Sequence, residues 1–181
     1  RAALNVAPDD SGQLAKLMMR SATRHNSESM ANGSLMRLSP LGVWSHRLSV
    51  ESAAAAAKSD AQLTHPNISC QFAAAAYVVA IRHLMLHQGD SRGCFLAAKS
   101  VVDPEGGSEV LSWLDAAERG DGPAYHPLAG FVKIAFTHAF RHLLLESSYE
   151  LAIHETLSGG GDTDTNACIV GGLIGALHGI G

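Results

Sequence analysis

Residues Ser158–Gly179 read SGGGDTDTNACIVGGLIGALHG: three glycines, two aspartates alternating with two threonines, then an apolar run spaced by further glycines. Asp162 stands where a helix N-cap belongs, with Asp164 and Thr165 in the turn that follows. A helix N-terminus offers free N–H groups and the positive end of the dipole, so carboxylates are favourable there. Asp162 and Thr165, three apart, share a face. Asp164 converges with them only where that turn is held by close backbone approach, which glycine permits. Oxygen-only donors of this kind suit a hard cation such as Mg²⁺, although two carboxylates make an incomplete site. An EF-hand is excluded, because Ala167 and Leu173 occupy the positions of its turn glycine and its glutamate. A P-loop is excluded too, since no Gly-Lys-Ser/Thr follows the glycines. Spacing alone leaves a structural cap and a metal-binding turn both open.

Beyond that turn, Gly171, Gly175 and Gly179 recur every four residues. Glycine costs about 1 kcal/mol per helical position relative to alanine, so this face is expected to pack closely on another helix. GxxxG spacing also occurs in membranes, but the acidic entry and short apolar length favour a soluble core helix over Asp162–His178.

Working outward, Ser11 or Asp10 can cap a helix reaching about Asn26. Ser29–Pro40, SMANGSLMRLSP, reads as a structured loop. Ser49–Leu63, with a five-alanine run, reads as a second helix. Pro66 suits the first turn of a long helical pattern over Asn67–Gln88, and Asp90–Val102 continues it. Further helices are expected at Glu109–Arg119, His126–Leu145 and Ser147–Leu157, separated by the loops DPEGGS and DGPAYHP. No stretch alternates with period two, so the fold class is all-α.

The 181 residues suit one domain, and 46% hydrophobic against 17% charged residues supports a sizeable core. A net charge of −4 gives no general nucleic-acid footprint. Cys70, Cys94 and Cys168 are odd in number and widely spaced, which suits a reducing, cytoplasmic compartment and gives no thiolate zinc motif. No apolar run is expected to span a membrane. His83/His87 and His138/His142 have i,i+4 spacing without HExxH and read as surface or core histidines. No serine sits in a GxSxG context, so a serine hydrolase has little support.

The tract GGDTDTNACIVGGLIGALHG resembles the C-terminal signature of the ADP-ribosylglycohydrolases, which include the dinitrogenase-reductase-activating glycohydrolase. Three more segments resemble that family in order: NGSLMRLSP (Asn32–Pro40), THP (Thr64–Pro66) and GFV (Gly130–Val132). The resemblance implies an all-α orthogonal multi-helix bundle holding two Mg²⁺ ions over ADP-ribose or an ADP-ribosylated protein. It implies that Asp162, Asp164 and Thr165 ligate metal. It also implies that Asn32, Gly33, Ser34 and His65 approach the substrate, leaving Met36 and Arg37 for packing and loop support. Each substrate residue has a plainer role open to it, as a turn pair or a helix cap.

The family's N-terminal Thr/Ser-x-Asp-Asp ligand cluster has no counterpart here, since Asp9–Asp10 follows Ala7–Pro8. Residues 1–181 are therefore expected to be the C-terminal portion of one such domain. A separate N-terminal segment of the same domain is then an expected partner. The function implied is Mg²⁺-dependent hydrolysis of the N- or O-glycosidic bond of ADP-ribosylated substrates. The alternative is an inactive ADP-ribose-binding or structural relative.

Overall fold

The computed structural model describes residues 11–179. Helix α4, Ile68–Leu86, is the axis of the bundle. Its central turns carry small side chains, Ala73 to Ala76 and Ala80, all fully buried, so neighbouring helices approach closely on several sides. Helix α3, Val50–Gln62, lays Ala53, Ala54, Ala57 and Ala61 against it. Helix α5, Ser91–Ser100, follows antiparallel through a tight turn at Gly89, whose positive φ of 80° suits glycine. By length and composition α4 could cross a membrane, contrary to the sequence expectation that no run is long enough. Yet 72% of that window is buried inside the bundle, and this burial accounts for its apolarity.

The remaining helices are α1 (Ser11–His25), α2 (Ser39–Trp44), α6 (Ser108–Glu118), α7 (Val132–Leu144), α8 (Tyr149–Ser158) and α9 (Thr163–His178). Side-chain caps at Ser49, Asn67, Asp90 and Ser148 fix four of the N-termini. Helix α9 packs on α7, α8 and α4, and α6 lies on α7. Trp113 of α6 meets Phe131 and Phe136 edge-on, and Phe136 continues the aromatic row to Phe140 and Phe95. Among the described residues there is no strand, only one antiparallel bridge between Ala31 and Phe131. The all-α class expected from the sequence holds.

Three boundaries differ from the sequence reading. Helix α7 begins at Val132, not His126. Residues 130–132 instead hydrogen-bond residues 30–32, with Val132 N–H donating to Met30 O (2.8 Å) and Asn32 N–H to Gly130 O (2.9 Å). Pro66 precedes the Asn67 cap and so lies outside the first turn of α4. Ser39 and Pro40 open α2, where a loop was expected. The cap assigned to Ser11 or Asp10 lies outside the described side chains.

The glycine spacing in α9 needs correction as well. Gly171 does face Tyr149 and Ile153 of α8, where an added Cβ would stand 3.1 Å from either side chain. Gly175 is looser, and Gly179 is past the helix end with φ of 72°. Within the helix the tightest approach is at Gly172, off the expected face, where a Cβ would lie 2.3 Å from Ser39 Oγ and 2.5 Å from Tyr77 Oη. Tyr77 is fully buried in α4; its hydroxyl donates to Ile169 O (2.8 Å) and lies 3.0 Å from Ser39 Oγ.

Candidate functional site

A 3₁₀ turn at Asn32–Ser34 follows directly from the paired residues 30–31. The pairing fixes the turn beside Gly130, and the turn in turn aims Asn32 at the start of α9. Asn32 Nδ2 donates to Asp162 Oδ2 (2.8 Å) and to Asn166 Oδ1 (3.1 Å). One amide group thus joins residues 130 and 134 positions away in sequence. Gly130 stands over this junction: a Cβ there would sit 3.7 Å from Asp162 Oδ2 and 3.9 Å from Asn32 Oδ1.

The three glycines before Asp162 explain how its turn is held. Gly160 and Gly161 take φ of 76° and 73°, a backbone that side chains resist. Gly161 also packs on the backbone of Tyr125, where a Cβ would lie 2.8 Å from its carbonyl oxygen, and a Cβ at Gly159 would enter the Tyr125 ring. The loop after α6 therefore presses against the acidic turn.

Asp162 occupies the cap position of α9, but its side chain forms no capping hydrogen bond of full geometry to its own helix. It accepts from Asn32 instead. Partial burial pushes the Asp162 carboxyl up, but its contacts with Asn32, Thr165 and Asp164 outweigh that and hold it below the usual aspartate range. Asp164 is exposed and, with Thr165, Met36, Arg37 and Cys168, lines a groove of about 340 Å³. A second groove of about 600 Å³ runs beside the junction, between residues 28–31 and 128–131.

His65 packs over Gly33, where a Cβ would approach its Cε1 to 3.2 Å. Its Nδ1 pairs with Thr64 Oγ1 at 2.9 Å. Burial, and then the Arg37 charge, push its pKa down, so the ring is neutral near pH 7. Arg37 braces the same turn, donating to Gly33 O (2.9 Å) and to the Asp60 carboxylate (2.9 Å) and carbonyl (3.0 Å). Loop support was expected of Arg37. Met36 is not packed as expected; it is 46% exposed beside Asp164. Ser34 is fully buried with its hydroxyl donating to Ala31 O at 3.2 Å.

The structure thus brings Asn32 onto Asp162, sets His65 over the neighbouring Gly33, places Asp164 and Thr165 on the adjoining groove, and turns Ser34 inward. Asn166 was missed in the sequence. Its only signal there is a polar residue one turn after Asp162 in an otherwise apolar helix. As a cation site the donors fit one side: Asp162, Asp164 and Thr165 supply hard oxygens from a single turn, and Asp162 is kept ionised. Among the described residues no three His, Cys, Asp or Glu side chains converge, so further ligands are needed.

An all-helical protein with an acidic helix entrance clasped by an Asn-Gly turn is the class these features define. The family model of the ADP-ribosylglycohydrolases matches residues 2–181, and the chain belongs to that family. It is similar to a protein of Acanthamoeba polyphaga mimivirus named "Putative ADP-ribosyl glycohydrolase", with 32% identity over 180 aligned residues. That alignment covers 89% of this chain and 54% of the relative, so the chain spans about half of the relative's length. No solved structure matches the chain.

Proposed function

We propose that the protein carrying this chain is a Mg²⁺-dependent hydrolase that cleaves the N- or O-glycosidic bond of ADP-ribosylated substrates. Family membership supports the hydrolase class. The observation that carries the site assignment is the Asn32–Asp162 hydrogen bond, which joins the Asn-Gly turn to the acidic turn. In this reading Asp162, Asp164 and Thr165 hold the cation. When bound, Mg²⁺ supplies positive charge for ribose hydroxyls and water as an oxocarbenium-like transition state forms at the anomeric carbon.

The chain's own residues do the rest of the positioning. Asn32 spends its amide protons on Asp162 and Asn166, which keeps the Asp162 carboxylate ionised and oriented. Neutral His65, with Nδ1 engaged by Thr64, has Nε2 left to meet a diphosphate oxygen over Gly33. Ligands beyond Asp162, Asp164 and Thr165 are expected from a further segment of the protein, continuous or separate. Its three unpaired thiols suit the cytoplasm.

The second reading is an ADP-ribose-binding relative without turnover, favoured by the absence of a third acidic ligand among the described residues. Calorimetric titration of ADP-ribose with Mg²⁺ and again with chelator tests the shared part of both readings. Release of ADP-ribose from ADP-ribosylated protein separates them. Binding that ignores chelator would remove the metal from the reading, and binding without release would leave the second one.

A further inference from the structure

Asn166 is fully buried in the first turn of α9, and its backbone N–H closes that turn on Asp162 O at 3.0 Å. Its side-chain Oδ1 accepts from Asn32, while its Nδ2 has no partner. A buried donor left unpaired is a standing cost that an apolar side chain of equal size would avoid. The rest of this buried face is apolar, with Ile169, Val170 and Leu173 following. Packing alone therefore gives no reason for an amide at this position.

The geometry points to Asn166 as a positioning residue that acts through Asn32; this rests on the proposed ADP-ribose reading of the site. The Asn32 amide faces two acceptors, Asp162 Oδ2 and Asn166 Oδ1. Rotating it by half a turn would set its own oxygen against the Asp162 carboxylate, which can only accept, so Asp162 selects the orientation with Nδ2 inward and Asn166 Oδ1 anchors its second proton. With Asp162 alone the amide could still swing, since Asp162 is partly open to water. The second, dry acceptor removes that freedom. Asn32 Oδ1 is then presented on the Gly130 side, where glycine leaves no side chain over it, as a fixed acceptor for a ligand hydroxyl. The Asn-Gly turn and the acidic turn are held in one register by a residue that touches neither metal nor substrate.

The test uses Asn166→Leu and Asn166→Ala in the full-length protein. Melting temperature, ADP-ribose affinity with Mg²⁺, and the NMR signals of the Asn32 side-chain amide are measured in each. Asn166→Leu is expected to melt close to the parent, because the unpaired Nδ2 is gone while one Asn32 N–H loses its acceptor. It should bind ADP-ribose about fivefold to tenfold more weakly, the worth of one lost hydrogen bond. One Asn32 amide proton should lose its protection from exchange. In an Asn32→Ala background the same substitution should cause no further loss of affinity, because its effect runs through Asn32.

Unchanged affinity with a lowered melting temperature would make Asn166 purely structural and overturn the inference. So would failure of both variants to fold, or a full additional loss in the Asn32→Ala background. Parent protein that binds no ADP-ribose sinks the proposed function instead. The Asn32 amide signals then decide the positioning role alone, and their persistence in Asn166→Leu would end it.

Discussion

Gly172→Ala should destabilise the protein, whereas Gly175→Ala, three residues further along the same helix, should stabilise it. In an open helix both changes gain about 1 kcal/mol from alanine's better helix propensity. At Gly175 the nearest atom to a new Cβ is Tyr149 Cε2 at 3.8 Å, an ordinary contact, so the gain is kept. At Gly172 the new methyl would stand 2.3 Å from Ser39 Oγ and 2.5 Å from Tyr77 Oη. Ser39 can rotate aside, but the Tyr77 ring is locked in the core and its hydroxyl is bonded to Ile169 O. Overpacking of this kind costs about 1–3 kcal/mol, and displacing the hydroxyl forfeits about another 1 kcal/mol. The net is a loss of about 1–3 kcal/mol. For a chain of this size that lowers Tm by about 3–10 °C, against a rise of about 2–4 °C for Gly175→Ala. Thermal melts followed by circular dichroism measure both. Adding Tyr77→Phe to Gly172→Ala removes one of the two clashing atoms and should recover part of the loss. Equal melting temperatures for the two alanine variants would refute the close approach of α9 to α4 at this point.

Three shorter predictions concern the site and its surroundings. Asp162→Asn or Asp164→Asn in the full-length protein should cut Mg²⁺-dependent hydrolysis by more than the ~10–100-fold that loss of a ligand's hydrogen-bonding partner costs; normal activity in either variant removes that residue from the metal. Gly130→Ala should leave the melting temperature nearly unchanged, since its methyl makes only ordinary contacts. It should weaken Mg²⁺-dependent ADP-ribose binding by covering Asp162 Oδ2, as calorimetry would show. Burial pushes the pKa values of His65, His138 and His142 down in the folded protein. The unfolded chain then binds more protons below the ordinary histidine pKa of about 6.5, so stability is complete above that pH and declines as pH falls through it. Melting temperature measured from pH 7.5 to 5 should drop accordingly, and His138→Gln should make the drop shallower.

Most helices were legible because their signals are local. Ser49, Asn67, Asp90 and Ser148 cap them within three residues of chain, and the long apolar run of α4 announces itself. What escaped the sequence depends on partners far along the chain. Residues 126–131 include Pro127 and Gly130, which weaken a helix locally, but the pairing of residues 130–132 with residues 30–32 is recorded by no local pattern. Met36 looks like a core residue until Asp164 and Cys168 are placed beside it. Gly172 is one of several glycines in α9, and only the position of Tyr77 singles it out. In the site, Asp162, Asp164 and Thr165 could be read as a charged helix entrance. That Asp162 forgoes full capping of its own helix and turns to Asn32 could not be read, and neither could the dependence of Asn32 on Asn166.

The long reach of the Asn32 amide also says when the site comes into being. Bringing two segments 130 residues apart together closes a loop whose entropy cost grows with the logarithm of its length, and contacts of such separation form late. Of the described helices α9 is synthesised after all the others, and Asp162 lies in its cap. A chain still emerging from the ribosome holds the Asn-Gly turn with nothing to bind, and any product that stops short of α9 carries no partial version of the junction.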